Sequence, residues 1–132
     1  MRLAATLLGC AASLHVASIV ASLLVLHAIV SSSAGGPVSS EQVFEVLDRL
    51  GLTWILYVGV AAQSAFFVLS VLGARTAWEH RNGAAVPMIA AGAVAIVISL
   101  LILGGVIGAA GGVLSVIGGA LSLPQRPMRY TA

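Results

Sequence analysis

The chain has 132 residues, 60% of them hydrophobic and only 8% charged. A water-soluble domain of this size carries about a quarter charged residues, so the composition excludes an ordinary soluble domain and predicts a protein that lives in lipid. The net charge of +2, from six arginines and no lysine, is too small and too dispersed for a nucleic-acid partner, and a lone cysteine, Cys10, excludes an intrachain disulfide and a cysteine-based metal cage.

The first apolar run, 3–30, contains no acidic or basic residue and exceeds the roughly 20 helical residues that cross a bilayer core of about 30 Å. Its "LLGC" at 7–10 has the form of a lipoprotein cleavage box, but nine residues leave little room for a signal's charged and apolar regions. "SSSAGG" at 31–36 is small and polar, as the end of a cleaved signal would be. The run from Leu3 to Val30 is nevertheless too long for a signal core and suits a retained span.

The next segment, "PVSSEQVFEVLDRLG", predicts a short amphipathic helix over about 40–50. Ser39 is its cap, with Gln42 three residues on, Val43, Leu47 and Leu50 form one apolar face, and Gly51 stops it. Phe44 and Val46 are expected to widen that face, and Glu45 and Arg49 to pair on the polar one. Such a helix has three places open to it: the membrane surface, the end of the helical bundle, or a partner.

The second span is expected over 51–74. The final run, from Val86 to Leu123, is too long for one span and nearly the length of two. Gly104 and Gly105 fall near its middle, where glycine's access to the left-handed conformation lets a helix stop and reverse, giving spans over 86–103 and 106–123.

Arginine decides between three spans and four, because cytoplasmic flanks collect it. Arg2, the 75–85 connection with Arg75 and Arg81, and the 124–132 tail with Arg126 and Arg129 all fall on one side if there are four spans, whereas three would put the tail outside. Four spans with both termini cytoplasmic is the expectation. Trp54 and Tyr57 then fall near the outer interface and Trp78 near the inner one. The fold class is thus an all-α integral membrane protein: one multi-pass domain over 1–132 with four transmembrane helices and a short extracytoplasmic amphipathic helix.

Glycine pairs stand at 104/105, 111/112 and 118/119, seven residues apart. Seven residues fall about 20° short of two helical turns, so the pairs share a face, and Gly108 with Gly112 has the GxxxG spacing that lets two backbones touch. Gly108, Gly111, Gly112, Gly118 and Gly119 are therefore expected to be helix-packing residues, a glycine zipper with Ser115 and Ser122 continuing it. The neighbour they admit is either a helix of the same chain or another copy.

His15 is the one ionisable residue expected deep inside a span, with Ser18 and Ser22 on its face, and Gln63 shares a face with Gly59 and Ser70. Counting inward from the helix ends sets His15, Gln63 and Ser115 at similar depth, predicting a mid-membrane polar layer in which His15 and Gln63 hydrogen-bond. Such side chains serve either as glue between helices or as a path for a solute or proton. His15 and His27 lie about 18 Å apart along one helix and cannot grip one haem iron, and His80 lies in a connection. The spans hold no acid for coupled transport, and no catalytic set, metal cluster or phosphate loop can be assembled. No enzymatic activity and no cofactor is expected.

From about Phe67 onward the chain resembles a family of small, uncharacterised four-helix membrane proteins of prokaryotes. The likeness lies in an arginine-bearing turn, "GARTAWEHRNG", followed by "GGVLSVIGGALSL", of the form GGxLxxxGGxLxL, closing on Arg126 and Pro127. The resemblance implies four spans and no known activity. Two roles stand as expectations: a structural or accessory component that associates through its glycine face with itself or a larger membrane complex, and a small channel, holin-like pore or transporter that uses the polar layer.

Overall fold

A computed structural model describes residues 2–79, 85–101 and 105–123. Every regular element among them is a helix: α1 (Arg2–Ala34), α2 (Ser40–Arg49), α3 (Thr53–Trp78), α4 (Ala85–Leu101) and α5 (Gly105–Leu121). Two of these, α1 with 33 residues and α3 with 26, are long and apolar enough to cross a membrane. The helices α4 and α5 are apolar and have 17 residues each. Gly104, His80, Arg81 and the 124–132 tail, on which several expectations fall, lie outside the described residues.

The helix ends follow backbone chemistry rather than hydropathy. Helix α1 runs through Ser31–Ser33, past the expected boundary at 30, because serines tolerate the helix. It stops where Gly35 takes a φ of +77°, and the Gly36 and Gly35 N–H groups return to the carbonyls of Ser31 and Ser32. Helix α2 ends in the same way. Gly51, at φ +67°, and Leu52 donate to the Asp48 and Leu47 carbonyls, at 3.0 and 2.9 Å. Its start is a capping box, with Gln42 N–H donating to Ser39 Oγ at 3.3 Å and Ser39 N–H donating to Gln42 Oε1 at 2.8 Å. Helix α3 extends to Trp78, beyond the expected limit at 74. Gly105 opens α5 at φ +52°.

Each of the four long helices runs antiparallel to its neighbours. Helix α1 packs on α3 and α5, and α4 packs on the same two. The register of α1 and α5 is set by Leu8 against Gly118, His15 against Gly111 and Ser18 near Gly108. Gly119 sits on Ala85, and Gly112 on Gly92, across α4 and α5. The described chain therefore begins and ends at one end of the molecule, where the Arg2 guanidinium lies 5.8 Å from the centroid of the Trp78 ring.

Buried positions alternate three and four residues apart on every long helix: Ala4, Leu8, Ala11, His15 and Ser18 on α1, and Ala85, Met88, Gly92, Ala95 and Ser99 on α4. Helix α3 continues the pattern from Leu56 to Ala77, and α5 from Gly108 to Gly119. This is the heptad seam of left-handed helix packing, filled here mainly by Gly, Ala and Ser. The large apolar side chains point outward: Leu24, Val68, Leu100 and Val106 are all exposed.

Helix α2 lies across the far end. Val43 and Leu47 pack on Val30 of α1 and Leu56 of α3. Phe44 and Val46 do not widen this buried face, as the sequence suggests they should; both are exposed. Leu50, expected on the same face as Val43 and Leu47, is exposed as well, because α2 meets α1 and α3 only along the Val43–Leu47 line. Arg49 pairs with Glu45 one turn away on the outer face.

Candidate polar site in the helical interior

Midway along α1, the helix interior is polar. His15 Nδ1 lies 2.8 Å from Gln63 Oε1, so the ring donates through Nδ1–H, and Gln63 Nε2 donates to Ser99 Oγ at 2.9 Å. Three helices, α1, α3 and α4, are thereby joined through one glutamine amide. All three side chains are almost wholly buried, and buried polar groups of this kind are tolerated only when hydrogen-bonded. Ser18, equally buried, lies beside them.

The packing around the imidazole explains why α5 needs glycine here. The ring packs against Phe66 in a tilted arrangement, with centroids 5.5 Å apart and planes inclined by 43°. On its other side it faces Gly111, where a Cβ would lie 3.1 Å from Cε1. One turn along α5, at Gly108, a Cβ would collide with Ser99 and stand 3.0 Å from Ser18 Oγ. Glycine thus leaves space for the histidine and both serines.

Of the residues expected in one layer, His15 and Gln63 are brought together and Ser115 is not. Ser115 lies one turn further along α5, where its hydroxyl is 3.3 Å from that of Ser70 on α3. Counting inward from the helix ends misplaces Ser115 by a turn, because the register of α5 on α1 sets Gly111 level with His15, and Ser115 meets Ser70 of α3 instead. Ser99 takes the place in the His15–Gln63 network, and sequence reasoning missed it. The available signal was the spacing of Ala85, Gly92 and Ser99, small residues seven apart on α4.

All five expected packing glycines are occupied within the chain. Gly108, Gly111 and Gly118 receive Ser99, His15 and Leu8, while Gly112 and Gly119 press on Gly92 and Ala85 of α4. Gly73 on α3 and Gly92 on α4 also sit in tight contacts, the first against Met88. Beyond Ser70 and Ser115, towards the Arg2 end, Leu8, Met88 and alanines Ala4, Ala5 and Ala77 form an apolar cluster, and the buried Ser122 hydroxyl donates to the Gly118 carbonyl of its own helix at 2.8 Å.

Among the described residues, no three His, Cys, Asp or Glu side chains come together as a metal site requires. No known protein family, curated protein or solved structure matches the chain.

Proposed function

We propose that the chain is an integral membrane protein of four spans, α1, α3, α4 and α5, packed as a four-helix bundle closed by a glycine zipper. Both termini face the cytoplasm and α2 caps the opposite surface. Its role is structural or accessory, with no catalysis and no cofactor. The observation that carries this reading is the inversion of ordinary packing. The middle of the interior is mainly Gly, Ala, Ser, His and Gln, with a few large apolar side chains such as Leu8, Phe66 and Met88, while most of the Leu, Val and Ile side chains lie on the outside. In water so large an apolar surface drives association; in lipid it is the solvated face, and small residues and hydrogen bonds hold the helices together. Only 17% and 28% of the most apolar stretches of α1 and α3 are buried, whereas the core helix of a soluble domain hides most of its surface.

The two ends support the orientation. Trp54 and Tyr57 lie exposed near the start of α3 and Trp78 at its end, about 36 Å apart by helical rise, slightly more than a bilayer core. Arg2 and Arg75 mark one end, and Glu41, Glu45 and Asp48 of α2 the other. By the bias of arginine to the cytoplasm, the Arg2 end is inside. Reporter domains placed after Ala132 and within the Gly35–Gly36 turn test this. The first is expected to be active only inside the cell and the second only outside, and an external carboxyl end would overturn the reading.

The glycine face holds the chain's own helices, so association of that face with another copy or a larger complex requires α1 or α4 to be displaced. A glue role for His15 is favoured by the apolar cluster around Leu8 and Met88 below it. The second reading, a small channel or transporter, draws on the run of hydrogen bonds from His15 through Gln63 to Ser99. Proton flux into vesicles separates the two: glue gives flux equal to protein-free vesicles, whereas a conduit gives flux that His15→Leu abolishes with assembly intact.

A further inference from the structure

At the end of the molecule where α1 begins, charge is out of balance. The chain has four acids. Glu41, Glu45 and Asp48 stand on α2, at the opposite end, and only Glu79, directly after α3, lies at this one. Arg75 already holds it, with Nε donating to Glu79 Oε1 at 3.0 Å. Arg2 is therefore left without a carboxylate among the described residues. Its guanidinium lies over the Trp78 ring, 5.8 Å from the centroid, within the range of cation–π attraction. That contact uses the ring face and leaves the N–H groups, which lie in the guanidinium plane, free to donate. Trp78 is 61% exposed, and Leu3, next to Arg2, is 63% exposed.

We propose that Arg2 and Trp78 bind the phosphate group of an anionic phospholipid in the leaflet on their side of the membrane, with Arg75 adding to the field. The inference rests on the four-span reading. A cation at the border of a bilayer is stabilised by a counter-charge, and the described side chains supply none to Arg2, whereas phospholipid phosphates lie in the head-group layer at that depth. The flat fork of a guanidinium matches two oxygens of a phosphate. Trp78 and Leu3 point to lipid rather than to a soluble phosphate. An indole sits at head-group level, and the exposed leucine beside the guanidinium is solvated by acyl chains. Selection follows from the charges present. Arg2 and Arg75 against Glu79 leave one net positive charge. It attracts an anionic head group, and it gains little from a zwitterionic one, whose ammonium the same arginines repel.

The test reads Trp78 by fluorescence in the full chain carrying Trp54→Phe, which removes the other tryptophan. The protein is placed in vesicles of equal phosphatidylglycerol and phosphatidylcholine, with bromine on the acyl chains of one lipid at a time, since bromine quenches an indole that it touches. Phosphatidylglycerol is expected to occupy the Trp78 site about fivefold more than phosphatidylcholine, the factor for one arginine near a membrane surface. Arg2→Gln is expected to bring the two lipids to parity, with quenching by phosphatidylcholine retained as the sign that the variant is still inserted. Arg49→Gln, at the opposite end, is expected to leave the preference as it was, and millimolar soluble glycerophosphoglycerol to leave it as well. Equal quenching by both lipids in the parent protein overturns the proposal, as does a preference that survives Arg2→Gln or one that the soluble head group erases. A Trp78 that neither lipid quenches overturns the four-span reading itself.

Discussion

Gly92 and Gly112 face each other across α4 and α5 with no room for a side chain on either. A Cβ on Gly92 would stand 2.6 Å from the Gly112 carbonyl oxygen, and one on Gly112 would stand 2.7 Å from the Gly92 carbonyl oxygen. The obstructing atoms are backbone and cannot swing aside. Gly112→Ala is therefore expected to force the helices apart and lower stability by about 1–3 kcal/mol, as overpacking does, with Gly92→Ala acting alike. Reversible unfolding in mild detergent measures the loss. An unchanged transition for both variants would show that this close contact does not hold the fold.

Gly9 provides the opposite case on α1. A Cβ there meets nothing within 4 Å, and the residue sits inside a helix with ordinary backbone. Gly9→Ala is expected to leave stability unchanged or raise it by up to about 1 kcal/mol, the helix-propensity difference. The same unfolding assay reads it, and a loss comparable to that of Gly112→Ala would mean that α1 has a neighbour on its outer face.

The difference between these glycines explains what the sequence could reveal. The helices themselves are legible because long apolar runs have few other ways to satisfy their backbone. The seam on α5 is legible because glycine doublets recur at seven. The matching seam on α4 is not, since Ala85, Gly92 and Ser99 lie among alanine, valine and isoleucine and every face is equally apolar. In a soluble helix hydropathy marks the buried side; here size and polarity mark it, and the contrast between alanine and valine is a weak signal. The serines at 31–33 misled for a related reason: polarity suggests the end of the span, but α1 ends only at the positive φ of Gly35.

The His15–Gln63–Ser99 network is expected to behave as one unit. His15→Leu leaves Gln63 Oε1 without the ring donor, and Gln63→Leu removes both the ring's acceptor and the donor to Ser99. A double-mutant cycle on His15 and Gln63 should therefore give a coupling of about 1 kcal/mol, the scale of interhelical hydrogen bonds in membrane proteins. Strict additivity of the two losses would show that the bond contributes nothing beyond packing.

Helix α2 is held by two kinds of contact that mutation can separate. Leu47 is buried with Val30, Val43 and Leu56, whereas Phe44 is exposed on the outer face. If docking on α1 and α3 fixes the helix, Leu47→Ala releases it. A buried leucine truncated to alanine costs about 2–5 kcal/mol, enough to exceed the local stability of so short a helix. Amide exchange over 40–49 is then expected to rise sharply in Leu47→Ala, and exchange around His15 to stay as it was. Ser39→Ala removes the capping oxygen that accepts from Gln42 N–H, worth about 1 kcal/mol, and should accelerate exchange only in the first turn. Phe44→Ala is expected to change little. If Phe44→Ala instead frees the helix and Leu47→Ala does not, α2 is held by its outer surroundings rather than by the bundle it caps.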